Sequence, residues 1–183
     1  MLYLEIEGSK RKCKVNLGNC ALEMQQRATI ETYLKGNKKG ELSLKYDSFF
    51  RDYLMDIECI TNIEIKDNQR SFIRNELKTI RHNRLSNSEA KRHRSEFVLA
   101  KKKLISEWEV KTAREWPKYT ENVVSDKGKV LRRLGENYDI HHIIELCCNG
   151  PNEWWNVHPA LFPHQHQNKI HRRGGYADIL FGK

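Results

Sequence analysis

The sequence predicts an α+β chain, mostly helical, with a β-hairpin region at the N terminus and a C-terminal finger of strand, turn, strand and helix. Three observations predict it: apolar alternation at the start, helical spacing of apolar residues through the middle, and a histidine-rich segment of β-branched and turn residues after Tyr138. With 183 residues, 38% hydrophobic, 31% charged and four prolines, the chain is long and apolar enough for one modest core. That composition excludes collagen-like and wholly disordered classes. Two regions are expected, 1–65 of unassigned role and 66–183 carrying basic helices and the finger, whose core spans about 138–173.

Leu2, Leu4 and Ile6 alternate, Gly8 to Lys12 has turn composition, and Val15 and Leu17 resume the alternation, as in a hairpin. From Ala21 to Lys35 apolar residues recur at helical spacing, and Gly36 to Gly40 ends that helix. Asp47 or Ser48 is placed to cap a short helix through Phe49, Phe50, Tyr53, Leu54 and Ile57, with Ile60, Ile63 and Ile65 as a following strand. Two amphipathic helices then fit Phe72, Leu77, Ile80 and Phe97, Val98, Leu104, Ile105, Trp108, separated at Ser86-Asn87-Ser88. Trp116-Pro117 closes the second, because proline cannot continue a helix. Lys118 to Asn137 is polar and turn-rich.

The formal charge is +9, from 33 Lys plus Arg against 24 Asp plus Glu. Lys66 to Arg114 holds 14 of those cations and six of the anions, so nearly all the excess sits in under a third of the chain. A charge run is often a plain solvated face, but this concentration points to a polyanion, with DNA or RNA the natural partner. The five cysteines (Cys13, Cys20, Cys59, Cys147, Cys148) are odd in number and form no C-x-x-C pair, so all five are expected as reduced, buried thiols. No apolar run reaches membrane-spanning length and the start reverses the charge order of a secretory leader, so no membrane association is expected.

The chemistry concentrates after Tyr138, where the last forty-six residues hold six of the eight histidines. Asp139-Ile140-His141-His142-Ile143-Ile144 reads as a strand, Asn149-Gly150-Pro151-Asn152 as a tight turn, Asn156 to Ala160 as a returning strand, and Pro163 as the residue preceding a helix. Neighbours on a strand point to opposite faces, so His141 and His142 cannot share one role. One suits a metal and the other a proton.

His-His-Ile-Ile, an asparagine fourteen residues on and a closing pair of histidines resemble the HNH, or His-Me finger, endonuclease superfamily with its ββα-metal core. Trp154-Trp155-Asn156-Val157-His158-Pro159 and the His166-Gln-x-x-x-Ile-His171 ending look most like nuclease domains at the C termini of bacterial polymorphic toxins, and more distantly like colicin-type DNases. The resemblance covers roughly 114–175. It implies His142 as general base, His141, His166 and His171 as metal ligands, and Asn156 joining the loop to the finger and orienting the base. Arg172 and Arg173 are placed by it to grip a phosphate. The spacing of His166 and His171 departs from the four-residue spacing of many family members: five residues leave them about 140° apart on an α-helix. Either His166 stands just before the helix or His164 replaces it.

The implied activity is metal-dependent DNA hydrolysis without strong sequence specificity, as an interbacterial toxin acting in the bacterial cytoplasm, with an acidic immunity protein as partner. The implied cofactor is one divalent ion, Mg²⁺ by family habit, with Zn²⁺, Ni²⁺ or Mn²⁺ also suited to imidazole. Two other readings stay open: a free-standing HNH endonuclease of a mobile element, phage or defence system, and a non-catalytic nucleic-acid binder stabilised by zinc. His82, His93 and His158 read as structural, and Trp154 and Trp155 as walls of the finger. Asp139 and Glu145 are each either an orienting carboxylate or a plain edge residue.

Overall fold

The computed structural model describes the backbone of residues 2–5, 12–15, 41–79 and 84–181, with side chains at 48–77 and 84–181. Helices and small antiparallel two-stranded sheets make it an α+β structure. The helix expected over Ala21 to Lys35 and the loop after it lie outside the described residues. By contact the chain divides into two compact units, Met1–Glu64 with Gln167–Lys183, and Ile65–His166.

In the first unit, β1 (Leu2–Glu5) pairs antiparallel with β2 (Lys12–Val15), Leu2 opposite Val15. Helix α1 runs Glu41–Thr61, longer at both ends than the short helix expected from a cap at Asp47 or Ser48. Phe49, Phe50, Tyr53, Leu54 and Ile57 form its buried stripe. Thr61 Oγ1 donates to Ile57 O at 2.8 Å, and Asn62, at φ 56, donates its N–H to Glu58 O and ends the helix. The strand expected through Ile60, Ile63 and Ile65 is therefore corrected: Ile60 is helical, and Ile63 and Ile65 follow in an irregular stretch. The apolar run was short enough to fit either period. The short helix α4 (Tyr176–Phe181) packs on α1, with Phe49 against Tyr176 at 4.9 Å between ring centroids. Cys59 is disulfide-bonded, which corrects the expectation of five reduced thiols; Cys147 and Cys148 are in no disulfide.

In the second unit, α2 (Asp67–Thr79) and α3 (Asn87–Thr112) are the two basic helices, and Ser86 begins the second. Ser86 N–H donates to Glu89 Oε2 at 2.9 Å while Ser86 Oγ accepts from Glu89 N–H, so two helix-terminal donors are satisfied reciprocally. Helix α3 stops at Ala113 in the left-handed region, before Trp116-Pro117. Its buried residues, Leu104, Trp108 and Thr112, lie four apart on one face, and Trp108 meets Trp116 edge-on at 5.0 Å. The polar stretch that followed carries an unforeseen hairpin, β3 (Val123–Val124) and β4 (Val130–Arg132), turning through Ser125 and Gly128.

Strand β5 (Asp139–His142) pairs antiparallel with β6 (Val157–Ala160), placing His141 opposite His158 and His142 opposite Val157. Gln69 Nε2 reaches from α2 to Val157 O at 3.2 Å, and Phe72 packs on Trp154 and Trp155. No helix among the described residues is long and apolar enough to cross a membrane.

Candidate metal and proton-transfer site

Strand β5 buries both of its histidines, and each meets different neighbours. His141 is fully buried and faces the His166 ring, with centroids 5.5 Å apart at 72°. His166 opens a π-helical turn, His166–Ile170, and His171 follows it at once. A π turn closes its hydrogen bonds at i to i+5 rather than i to i+4. The five-residue spacing that separates two side chains on an α-helix therefore returns them toward the same side here. Ring nitrogens of His141, His166 and His171 all lie within 4.8 Å of one another. His164 is exposed and is not in this set.

Three imidazoles are a donor set that suits borderline divalent cations. Nitrogens that share an ion at about 2.1 Å with tetrahedral angles stand about 3.4 Å apart, so the widest spacing allowed here must close by about 1.4 Å to hold one. Asp139, at the start of β5, is the carboxylate of this neighbourhood. Arg132 clamps it bidentately, Nε to Oδ1 and Nη2 to Oδ2 at 2.6 Å each, and Tyr119 OH donates to Oδ1 at 3.3 Å. Burial alone would raise the Asp139 pKa, but the Arg132 hydrogen bonds and charge, with His166, hold the carboxyl well below its usual range. Its Oδ2 stands 3.9 Å from His166 Nδ1, an ion-pair distance too long for a hydrogen bond.

His142 is 5% exposed and lies apart from the cluster of three. Its ring meets Phe97 of α3 edge-on at 4.6 Å, and its Nε2 stands 3.2 Å from Asn152 Oδ1. Burial pulls its pKa down to about 4, the Asn152 contact opposing and the electrostatic influence of His93, His166 and Arg94 adding to the fall. The ring is neutral at pH 7 and keeps a lone pair available for a proton.

Asn156 has no exposed surface and binds backbone only. Its Oδ1 accepts from Ile144 N–H at 2.7 Å, and its Nδ2 donates to Ile144 O and Pro151 O at 3.0 Å each. It ties the loop after β5 to the start of β6, and the side chain that touches His142 is Asn152. Arg172 donates to Asp56 Oδ2 at 3.0 Å and to Lys169 O at 2.7 Å, so this guanidinium, expected at a phosphate, is held by a carboxylate. Arg173 is exposed. His158 is fully buried, and burial pulls it down to about 3. Glu145 is also buried, which pushes its carboxyl up to about 7 against the pull of Arg94.

Sequence reasoning missed Asn152, Arg132, Tyr119 and the contact made by His93, whose Nε2 bonds Gly150 O at 2.8 Å. Asn152 has the composition of a turn residue, and it stands in the loop between β5 and β6. Arg132 and Tyr119 carry no local signal, since they reach Asp139 through the tertiary fold.

No protein-family profile matches the chain. It is similar to toxin YxiD of Bacillus subtilis, 39% identical over 162 residues, which cover 88% of this chain and 28% of that protein. It is also similar to the probable deoxyribonuclease RhsB of Dickeya dadantii, 29% identical over 114 residues, 62% of this chain and 7% of that protein. The chain thus spans less than a third of either relative that it matches.

Proposed function

We propose that this chain is a metal-dependent endonuclease of the HNH type that hydrolyses DNA phosphodiester bonds without strong sequence specificity, as an interbacterial toxin. The observation that carries the reading is the division of labour on β5: His141 clusters with two more imidazoles, while its neighbour His142 stands outside that set as a buried neutral imidazole. The names borne by the two relatives, a toxin and a probable deoxyribonuclease, support the same class.

His141, His166 and His171 would hold the divalent ion, Mg²⁺ by the family resemblance. When bound, the ion supplies charge neutralisation at the phosphate and at the leaving oxygen. His142 takes the proton of the attacking water on its free ring nitrogen. Arrival of the phosphate's negative charge beside the ring raises its proton affinity in the complex, which offsets the fall caused by burial. Asp139, fixed by Arg132, orients the His166 side of the cluster. The Lys and Arg residues of α2 and α3, with Arg173, supply sequence-independent phosphate contacts. An acidic immunity protein is the partner expected of such a basic toxin.

The test is cleavage of supercoiled plasmid by wild type and His142→Ala, with EDTA and with Mg²⁺, Mn²⁺ or Zn²⁺ restored. Cleavage by wild type that EDTA abolishes and the folded variant lacks is the expected result. Binding without cleavage under every ion overturns the reading in favour of a zinc-stabilised binder.

A further inference from the structure

The loop between β5 and β6 is held more tightly than a turn requires, and what it holds is Asn152. Three features fix it. Gly150 has no room for a side chain: a Cβ there would stand 1.8 Å from Ile144 O and 2.9 Å from Glu145 O, both backbone atoms. Its carbonyl accepts from His93 Nε2 of α3 at 2.8 Å. The next carbonyl, of Pro151, accepts from Asn156 Nδ2 at 3.0 Å. Two consecutive carbonyls are thus anchored, one to a helix and one to the start of β6, and the residue that follows them places its amide oxygen 3.2 Å from His142 Nε2.

An amide oxygen accepts and cannot donate, so this contact puts the proton of the neutral ring on Nε2 and leaves the lone pair on Nδ1. The two tautomers of a free imidazole lie close enough in energy that one oriented acceptor decides between them. Phe97, edge-on to the same ring at 4.6 Å, restricts its rotation.

We propose that Asn152 is a positioning residue that holds His142 in the Nε2–H tautomer, so that Nδ1 is the nitrogen that takes the proton. The proposal rests on the reading of His142 as the general base. Asn156 and His93 act through Asn152, by fixing the carbonyls that precede it, and neither touches the base.

The experiment records long-range proton–nitrogen correlations of the whole chain with isotope-labelled histidine at neutral pH, the His142 signals being identified by their loss in His142→Gln. Wild type is expected to show a protonated Nε2 and a bare Nδ1. Asn152→Leu, similar in volume but without an acceptor, is expected to populate the other tautomer and to lose kcat on the order of 10- to 100-fold with KM unchanged. Asn152→Ala serves if the Leu side chain disturbs the loop. Asn152→Asp restores an acceptor at the same place and is expected to return both the tautomer and most of kcat. A wild-type proton on Nδ1, or an unchanged tautomer in both Asn152→Leu and Asn152→Ala, overturns the proposal. If the tautomers behave as expected but wild type cuts no plasmid with any ion, the positioning role stands and the nuclease reading falls.

Discussion

Replacing Asn156 tests how the loop between β5 and β6 is held, because that side chain makes all of its hydrogen bonds with backbone in a place without water access. In Asn156→Ala three groups lose their partner: Ile144 N–H, Ile144 O and Pro151 O. A buried polar group left unsatisfied costs about 1–3 kcal/mol, and some relaxation is shared among three neighbours, so the expected loss is about 3–5 kcal/mol. Asn156→Asp separates hydrogen bonding from size. One carboxylate oxygen still accepts from Ile144 N–H, but the other faces two carbonyls at the 3.0 Å positions now held by Nδ2. Only a protonated carboxyl can donate to one of them, so the folded-state pKa of the new Asp is raised. A raised folded pKa gives stability that is present below the unfolded value of about 3.9 and lost as pH rises through the folded value. The Asp variant should therefore fall as far as the Ala variant at pH 7 and recover part of the loss at pH 4 to 5. Urea unfolding of wild type and both variants across that range measures it. An Ala variant within about 1 kcal/mol of wild type, or an Asp variant with no recovery relative to wild type in acid, would refute the reasoning.

Gly150→Ala pushes a Cβ into Ile144 O; the loop must move, and urea unfolding should show a loss of about 3 kcal/mol or more, with plasmid cleavage reduced as Asn152 shifts. Glu145→Gln should change the pH dependence of stability. The carboxyl is pushed up to about 7 by burial, so the folded wild type keeps a proton that the unfolded chain releases above about 4.5, and stability falls as pH rises between those values by at most roughly 3 kcal/mol. The Gln variant lacks that fall, and equal slopes for the two proteins between pH 5 and 8 would contradict it. Asp139→Asn removes the bidentate partner of Arg132; calorimetric titration with Mn²⁺ or Zn²⁺ should show ion affinity lower by about 10- to 100-fold, and unchanged affinity would remove Asp139 from the site.

What the sequence determined by itself is what depends on near neighbours in the chain. The capping pair Ser86 and Glu89 started α3 where the Ser-Asn-Ser break placed it, and the apolar stripe of Leu104 and Trp108 gave its buried face. The alternation around His141 and His142, and the turn residues between Asn149 and Asn152, were enough to mark a strand, a loop and a returning strand. The resemblance to the HNH pattern put forward His141, His142, Asn156, His166 and His171 as candidates. Tertiary structure decided what local pattern left balanced. Ile60, Ile63 and Ile65 fit a strand by composition, yet packing of the Phe49 to Ile57 stripe carries α1 through Ile60. The five-residue step from His166 to His171 looked wrong for a shared ligand face until a π turn replaced the α turn. Arg172 and Arg132 are alike in sequence, each an exposed-looking cation beside a second arginine. Only the fold hands one to Asp56, 116 residues away, and the other to Asp139, seven residues on across an irregular stretch, because neither pairing leaves a periodic trace. Asn152 is the clearest case. Turn chemistry alone accounts for an asparagine at that position, and its contact with His142 exists only because Gly150 lets the loop close against the backbone of Ile144.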